Sequence, residues 1–190
     1  MNGFETFGND RNQVIENSNR KDEYGGTFDH RVHLLTELIQ EIRLCCGTEF
    51  LIAVRFGNRS IEKLVATGKA IESAGGDLLD VSSGLGVYQK PEDFPLDAKI
   101  YAAFCVKREV SLPVICVENI DSGTVAESIL QKGYADFVAV GRGHLCDPTW
   151  GNKILHGKEP FHCVRCRKCM WYIDGEKCPV VKKRRKVEEI

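Results

Sequence analysis

The sequence predicts a parallel α/β fold, in which strands and helices alternate along the chain. Four short apolar strand patterns recur at regular spacing, and each is followed by a pattern typical of a helix. The strand patterns are apolar throughout and do not alternate with polar residues, as expected when helices cover both faces of a sheet. Doubly wound sheets and (β/α)8 barrels share these features, so the pattern alone leaves both architectures open.

The elements can be predicted in order from the spacing of apolar residues. Residues 27–44 have the helical period, and residues 50–55 form a short apolar strand. Ser60 is expected to cap the next helix, which Gly75 and Gly76 end. The remaining strands are predicted at 77–81, from 113 and from 135, and the remaining helices at about 98–110 and 122–131. The loop at 82–86 has turn chemistry.

Composition narrows the class of protein. The chain has 190 residues, 43% of them hydrophobic, and a net charge of −1, which fits one soluble domain. It has no run of about 18 apolar residues, and its polar N-terminus is unlike a signal peptide. The nine cysteines are odd in number, and four crowd near the C-terminus. Reduced thiols and a metal site in a reducing cytoplasm fit better than a disulfide framework, so we expect a cytoplasmic protein.

A candidate phosphate site follows the last predicted strand. There the apolar run ends in Gly141-Arg142-Gly143. A phosphate needs backbone N–H groups that it can approach closely, and a guanidinium adds a fixed positive charge. The preceding strand lies about one βα unit upstream, and in (β/α)8 barrels the loops after the last two strands commonly hold a phosphate.

Residues 18–26 carry a specific family resemblance. They read Ser-Asn-Arg-Lys-Asp-Glu-Tyr-Gly-Gly, followed by Thr-Phe-Asp-His-Arg. This resembles the Asn-x-Arg-x-Asp-x-Tyr-Gly-Gly-Ser…Asn-Arg segment of the Old Yellow Enzyme family of NADH:flavin oxidoreductases, which includes 2,4-dienoyl-CoA reductases, although Ser18 departs from the usual Asn. The resemblance continues in order through Val54-Arg55, residues 80–84, 113–115 and 140–142, and ends at Asp147-Pro148-x-Trp150.

The resemblance implies a (β/α)8 barrel with FMN at the carboxyl ends of the strands. The four predicted strands resemble strands five to eight, so we expect the C-terminal half of a TIM barrel with a Cys-rich C-terminal extension. A whole barrel typically needs about 250 residues. The expected organisation is a divergent segment at 1–17, a partial barrel at 18–160, and a Cys-cluster segment with a basic tail at 161–190. By family resemblance the other half carries further flavin contacts and the groups that anchor substrate.

The resemblance also implies the cofactor-binding residues. Arg55 would lie beside the N1/O2 edge of the flavin, and Ser82 belongs to a loop that either contacts flavin or only turns the chain. The family often has Gly near position 118, so Glu118 places a carboxylate close to a phosphate dianion. The candidate set for binding FMN is Arg55, Ser82, Gly84, Glu118, Asn119, Gly141 and Arg142.

A cysteine array follows the barrel segment. Cys163, Cys166, Cys169 and Cys178 have the spacing C-x2-C-x2-C…C-P, which lets thiolates converge on one metal centre. Nearby Arg and Lys side chains would offset the thiolate charge. Iron–sulfur members of the family have a related array with longer gaps, which suggests a [4Fe–4S] cluster. A zinc ion with four thiolates fits the same residues, His162 is a possible substitute ligand, and free thiols in a tail are the alternative.

The leading functional prediction is an FMN-dependent NAD(P)H oxidoreductase that transfers hydride to a small enone or dienoyl substrate. A metal-binding or interaction module and a non-functional remnant are the alternatives. The basic run at 182–186 could indicate nucleic-acid binding, but a solvated tail is the preferred interpretation. A half-barrel leaves sheet edges open, so we expect a homodimer or a complex with a complementary N-terminal half.

Overall fold

The computed structural model describes residues 3–6, 20–82 and 87–188; for residues 3–6, 172 and 188 it describes only the backbone. Within these ranges five strands form one parallel sheet, in chain order. They are β1 (Gly3–Thr6), β2 (Leu51–Phe56), β3 (Leu78–Val81), β4 (Val114–Val117) and β5 (Phe137–Ala139). The parallel order confirms the predicted α/β class.

Four helices connect or precede the strands. They are α1 (Phe28–Cys46), α2 (Ile61–Ser73), α3 (Ala98–Lys107) and α4 (Gly123–Gln131). Each begins after a side chain that accepts a hydrogen bond from a first-turn amide: Thr27, Ser60, Asp97 and Ser122. The cap predicted at Ser60 is therefore confirmed. None of the helices in the described part of the chain is long and apolar enough to cross a membrane.

The core is most continuous around β3, the central strand of the described sheet. Leu79, Asp80 and Val81 are consecutive in β3 and all are buried, although successive side chains of a strand point to opposite faces. Leu64 of α2 and Val106 of α3 are fully buried and belong to the same apolar cluster. In β2 and β4, by contrast, buried residues alternate with less buried ones, so one face of these two strands is covered more completely than the other.

The C-terminal part contains elements that the sequence analysis did not predict. After β5 come α5 (Gly141–Cys146), α6 (Trp150–Leu155), two short 3-10 helices (Met170–Tyr172 and Gly175–Lys177) and α7 (Pro179–Glu188). The basic run predicted as a solvated tail lies within α7, and the expected solvent exposure holds for most of its side chains. Val180 and Val181 of α7 are buried against Cys146 and Cys178, while most of its Lys and Arg residues are exposed.

Candidate functional site

A cavity of about 650 Å³ lies at the carboxyl ends of the strands. Its wall includes Arg55 of β2, Val117 at the end of β4, Ala139 at the end of β5, and the start of α5. Residues of the Cys-cluster segment close another side. Parallel α/β sheets bind ligands at this edge, and the volume is in the range of small-molecule sites.

The two glycines of the Gly-Arg-Gly motif have different roles. A Cβ atom placed on Gly141 would meet no other atom within 4 Å, so the backbone beside the cavity is open to a ligand. A Cβ atom on Gly143 would lie 2.7 Å from Cγ1 of Val140 and 3.0 Å from Cδ1 of Trp150. Gly143 is therefore required for packing of the buried Trp150, a reason that the sequence analysis did not identify.

Arg142 is connected to the loop that follows β4. Its Nη2 atom donates a hydrogen bond to Oδ1 of Asn119 at 3.1 Å. The side-chain amide of Asn119 donates in turn to Oδ2 of Asp97 at 2.8 Å, and Asp97 caps α3. This chain of contacts joins α3, the β4–α4 loop and α5 around the cavity, and it brings together Asn119 and Arg142, two residues of the candidate set for FMN.

Glu118 occupies an unusual backbone position in the same loop. Its φ angle is 110° and that of Asn119 is 53°, a region that favours glycine and costs other residues about 1–3 kcal/mol. The Glu118 carboxylate lies 3.3 Å from Nζ of Lys99 and 3.9 Å from Nη2 of Arg142. The carboxylate that departs from the family pattern therefore faces the cavity and the cation assigned to phosphate.

Arg55 is held at the cavity by a buried carboxylate. Its Nη1 atom donates to Oδ2 of Asp80 at 2.8 Å, and the two residues are register partners on β2 and β3. About a third of the Arg55 side chain is exposed, whereas Asp80 is buried. The cation is thus fixed while part of it still faces the cavity. Ser82 lies outside the cavity lining, and its amide donates to the carbonyl oxygen of Phe56; Gly84 lies outside the described residues.

Five of the nine cysteine residues line a second, smaller pocket beside the cavity. This pocket is lined by five thiols, those of Cys146, Cys163, Cys166, Cys169 and Cys178. Burial, together with the neighbouring Cys163 and Cys178 thiols, raises the pKa of Cys146 to about 12. No sequence pattern pointed to Cys146, because it lies 17 residues before the array and belongs to no spacing motif.

In the described part of the chain, the cysteine side chains of the array do not converge as the ligands of one metal ion would. In the described ranges, no group of three or more His, Cys, Asp or Glu side chains is arranged to hold a metal ion. The four-cysteine ligand set therefore stays a prediction. His162 has partners at both ring nitrogens, the carbonyl oxygen of Asp121 and the carboxylate of Glu159, which disfavours it as the substitute ligand. Hydrogen bonding to Glu159 raises the pKa of His162.

Comparison with known proteins identifies the family. Residues 13–160 match the model of the NADH:flavin oxidoreductase / NADH oxidase family. The NADH oxidase of Thermoanaerobacter brockii is 35% identical in an alignment of 162 residues, and the match covers 77% of this chain and 25% of that protein. The NADPH dehydrogenase of Geobacillus thermodenitrificans is 33% identical in an alignment of 136 residues, and the match covers 69% of this chain and 40% of that protein.

A solved structure has the same fold. A 2-naphthoyl-CoA reductase in complex with 2-naphthoyl-CoA aligns with a TM-score of 0.72 at 20% identity, covering 87% of this chain and 27% of that one. The chain thus spans about a quarter to two fifths of the length of these relatives. The sheet, the cavity at its carboxyl edge and the sequence match together confirm the predicted resemblance: the chain belongs to the NADH:flavin oxidoreductase / NADH oxidase family.

Proposed function

We propose that this chain contributes the phosphate-side part of the flavin site in an FMN-dependent NAD(P)H oxidoreductase. The substrate class is a small activated alkene, an enone or a dienoyl compound. The observation that carries the proposal is the convergence of Gly141, Arg142 and the β4–α4 loop on one cavity at the carboxyl edge of the sheet. The family match supports the same chemistry.

The residues present fit FMN, with one opposing feature. The open backbone at Gly141 and the guanidinium of Arg142 would hold the phosphate, and Arg55 would supply positive charge to the edge of the isoalloxazine ring. Asp80 keeps the Arg55 guanidinium oriented. When bound, FMN supplies hydride transfer between NAD(P)H and substrate. The opposing feature is the Glu118 carboxylate beside Arg142.

Replacing Arg142 with alanine is expected to weaken FMN binding about ten- to a hundredfold. A charge-assisted hydrogen bond contributes about 1.5–3 kcal/mol, which corresponds to this range. Isothermal titration of FMN into the full chain measures the Kd. Arg108→Ala is the matched control, since Arg108 follows the C-terminal end of α3, away from the cavity. An unchanged Kd for Arg142→Ala would show that the phosphate site is elsewhere.

We also propose that the chain pairs with a second copy or with a complementary N-terminal half of the barrel. In the described sheet β5 is an edge strand, and Phe137 on it is 53% exposed. Analytical ultracentrifugation at micromolar concentration is expected to detect a dimer, a complex or larger aggregates. A well-dispersed monomer that unfolds cooperatively would contradict this proposal.

A second candidate function is metal binding by the cysteine array, in a protein of the reducing cytoplasm. It is favoured by the five thiols that line one pocket, and by Cys163 and Cys169, which line the large cavity as well. Cys163, Cys166, Cys169 and Cys178 are the proposed ligands, for a [4Fe–4S] cluster first and for zinc second. A centre there would lie next to the proposed flavin site.

A further inference from the structure

We propose that Glu118 sets the ligand selectivity of the cavity. Its carboxylate is an internal anion that competes with a ligand phosphate for Arg142 and Lys99. The wild-type cavity therefore takes a flavin without phosphate, riboflavin, about as readily as it takes FMN. This inference rests on the proposed function, because it assumes that the cavity receives a flavin.

Arg142 already has an anionic neighbour at the cavity, the carboxylate of Glu118. The Arg142 side chain is about half exposed and lines the cavity. The Glu118 carboxylate lies between it and Lys99, 3.9 Å from the guanidinium and 3.3 Å from the ammonium. A phosphate dianion that reached Arg142 would meet this carboxylate at short range, and like charges disfavour each other there. The same carboxylate does not oppose an uncharged ribityl chain.

The β4–α4 loop holds Glu118 in place. Asn119 is anchored on both sides, by a hydrogen bond to Asp97 and by one from Arg142. The φ angle of Glu118 is one that glycine adopts most easily. A glycine at this position would have no side chain, whereas Glu118 places a carboxylate there. Moving the carboxylate away would break its contacts with both cations.

A comparison of FMN with riboflavin separates a role of Glu118 in ligand selectivity from a purely structural role. A salt bridge that only stabilised the loop would affect both flavins equally. A carboxylate that competes with phosphate affects FMN and leaves riboflavin unchanged, because only FMN carries the dianion. The ratio of the two dissociation constants therefore reports the proposed role directly.

The experiment measures Kd values of the full chain for FMN and for riboflavin by quenching of flavin fluorescence. In Glu118→Gln we expect FMN to bind at least tenfold more tightly, with riboflavin within twofold of wild type. Glu118→Gly is the second variant, because it removes the carboxylate and suits the observed φ angle, so it keeps the test valid if the amide variant folds poorly. Glu109→Gln is the matched control, since it removes one carboxylate that pairs with Lys69 outside the cavity lining.

The outcomes are distinguishable. A ratio of the FMN Kd to the riboflavin Kd that falls at least fivefold in both Glu118 variants and stays unchanged in Glu109→Gln supports the inference. An unchanged ratio, with FMN bound by wild type, overturns the inference and leaves the proposed function standing. Absence of flavin binding in wild type and in every variant overturns both.

Discussion

Replacing Asp147 with alanine is expected to lower the free energy of unfolding by about 3 kcal/mol. The side chain is 1% exposed, and its Oδ2 atom lies 2.6 Å from Nζ of Lys153. It also accepts hydrogen bonds from the amide of Phe161 at 3.0 Å and from the hydroxyl of Thr149 at 2.8 Å. Loss of one partner of a buried ion pair costs about 3–5 kcal/mol, and the partly exposed Lys153 places this case at the lower limit.

The same carboxylate predicts a dependence on pH. Burial alone would raise the pKa of Asp147, but Lys153, the Phe161 amide and Thr149 together lower it from 3.8 to about 2. A lowered pKa contributes stability that is fully present above pH 3.8 and is lost as the pH falls through about 2. The contribution corresponds to about 2 kcal/mol. Urea unfolding at pH 7 and between pH 4 and 2 should therefore give a smaller pH dependence for Asp147→Asn than for wild type.

A matched control tests whether burial causes the effect. Lys69 and Glu109 form an ion pair of 2.7 Å, but both side chains are about half exposed. Glu109→Ala should cost less than about 1 kcal/mol, as expected for a surface pair. Equal losses for Asp147→Ala and Glu109→Ala would contradict the role assigned to the buried carboxylate. Because Asp147 holds Phe161, its loss should also expose the Cys-cluster segment to proteolysis.

The second large effect concerns the cysteine array. Protein prepared without oxygen is expected to contain one metal centre per chain, and the double variant Cys166→Ser/Cys169→Ser is expected to lose it. Two of the four proposed thiolate ligands are removed, and serine does not replace a thiolate for iron or zinc. Elemental analysis together with absorbance of the thiolate-to-iron bands measures both the amount and the identity of the metal.

Cys45→Ser/Cys46→Ser is the matched control for this experiment. Both residues are exposed at the end of α1 and lie outside the thiol-lined pocket, so this variant should keep its metal. Stoichiometric metal that survives in Cys166→Ser/Cys169→Ser would rule out the proposed ligand set. In that case Cys146, Cys163 and Cys178 would be the remaining thiols of the pocket.

The sequence predicted those strands and helices whose patterns lie in consecutive residues of the chain. Continuous apolar runs predicted β2 to β5, and the hydroxyl cap at Ser60 predicted the start of α2, because both patterns depend on neighbouring residues. The family resemblance placed Arg142 and Asn119 in one candidate site for FMN. Their hydrogen bond supports that arrangement.

Other features depend on contacts between distant residues, so sequence patterns did not predict them. The edge strand β1 has only four residues, and its pairing with β2 is made across more than forty residues of chain. Cys146 joins the thiol pocket only because α5 packs beside α7. The Glu118 contact with Lys99 requires the start of α3 to lie beside the β4–α4 loop.

We expect FMN to bind at the carboxyl edge of β4 and β5, and amide chemical-shift mapping is the measurement that detects this binding site. A 15N-labelled chain of 21.3 kDa is suited to titration with FMN in two-dimensional NMR spectra. The largest shifts are expected at residues 117–121 and 141–145, beside the cavity. Saturable binding with its largest shifts at the opposite edge of the sheet, or no shifts at all at millimolar FMN, would contradict this expectation.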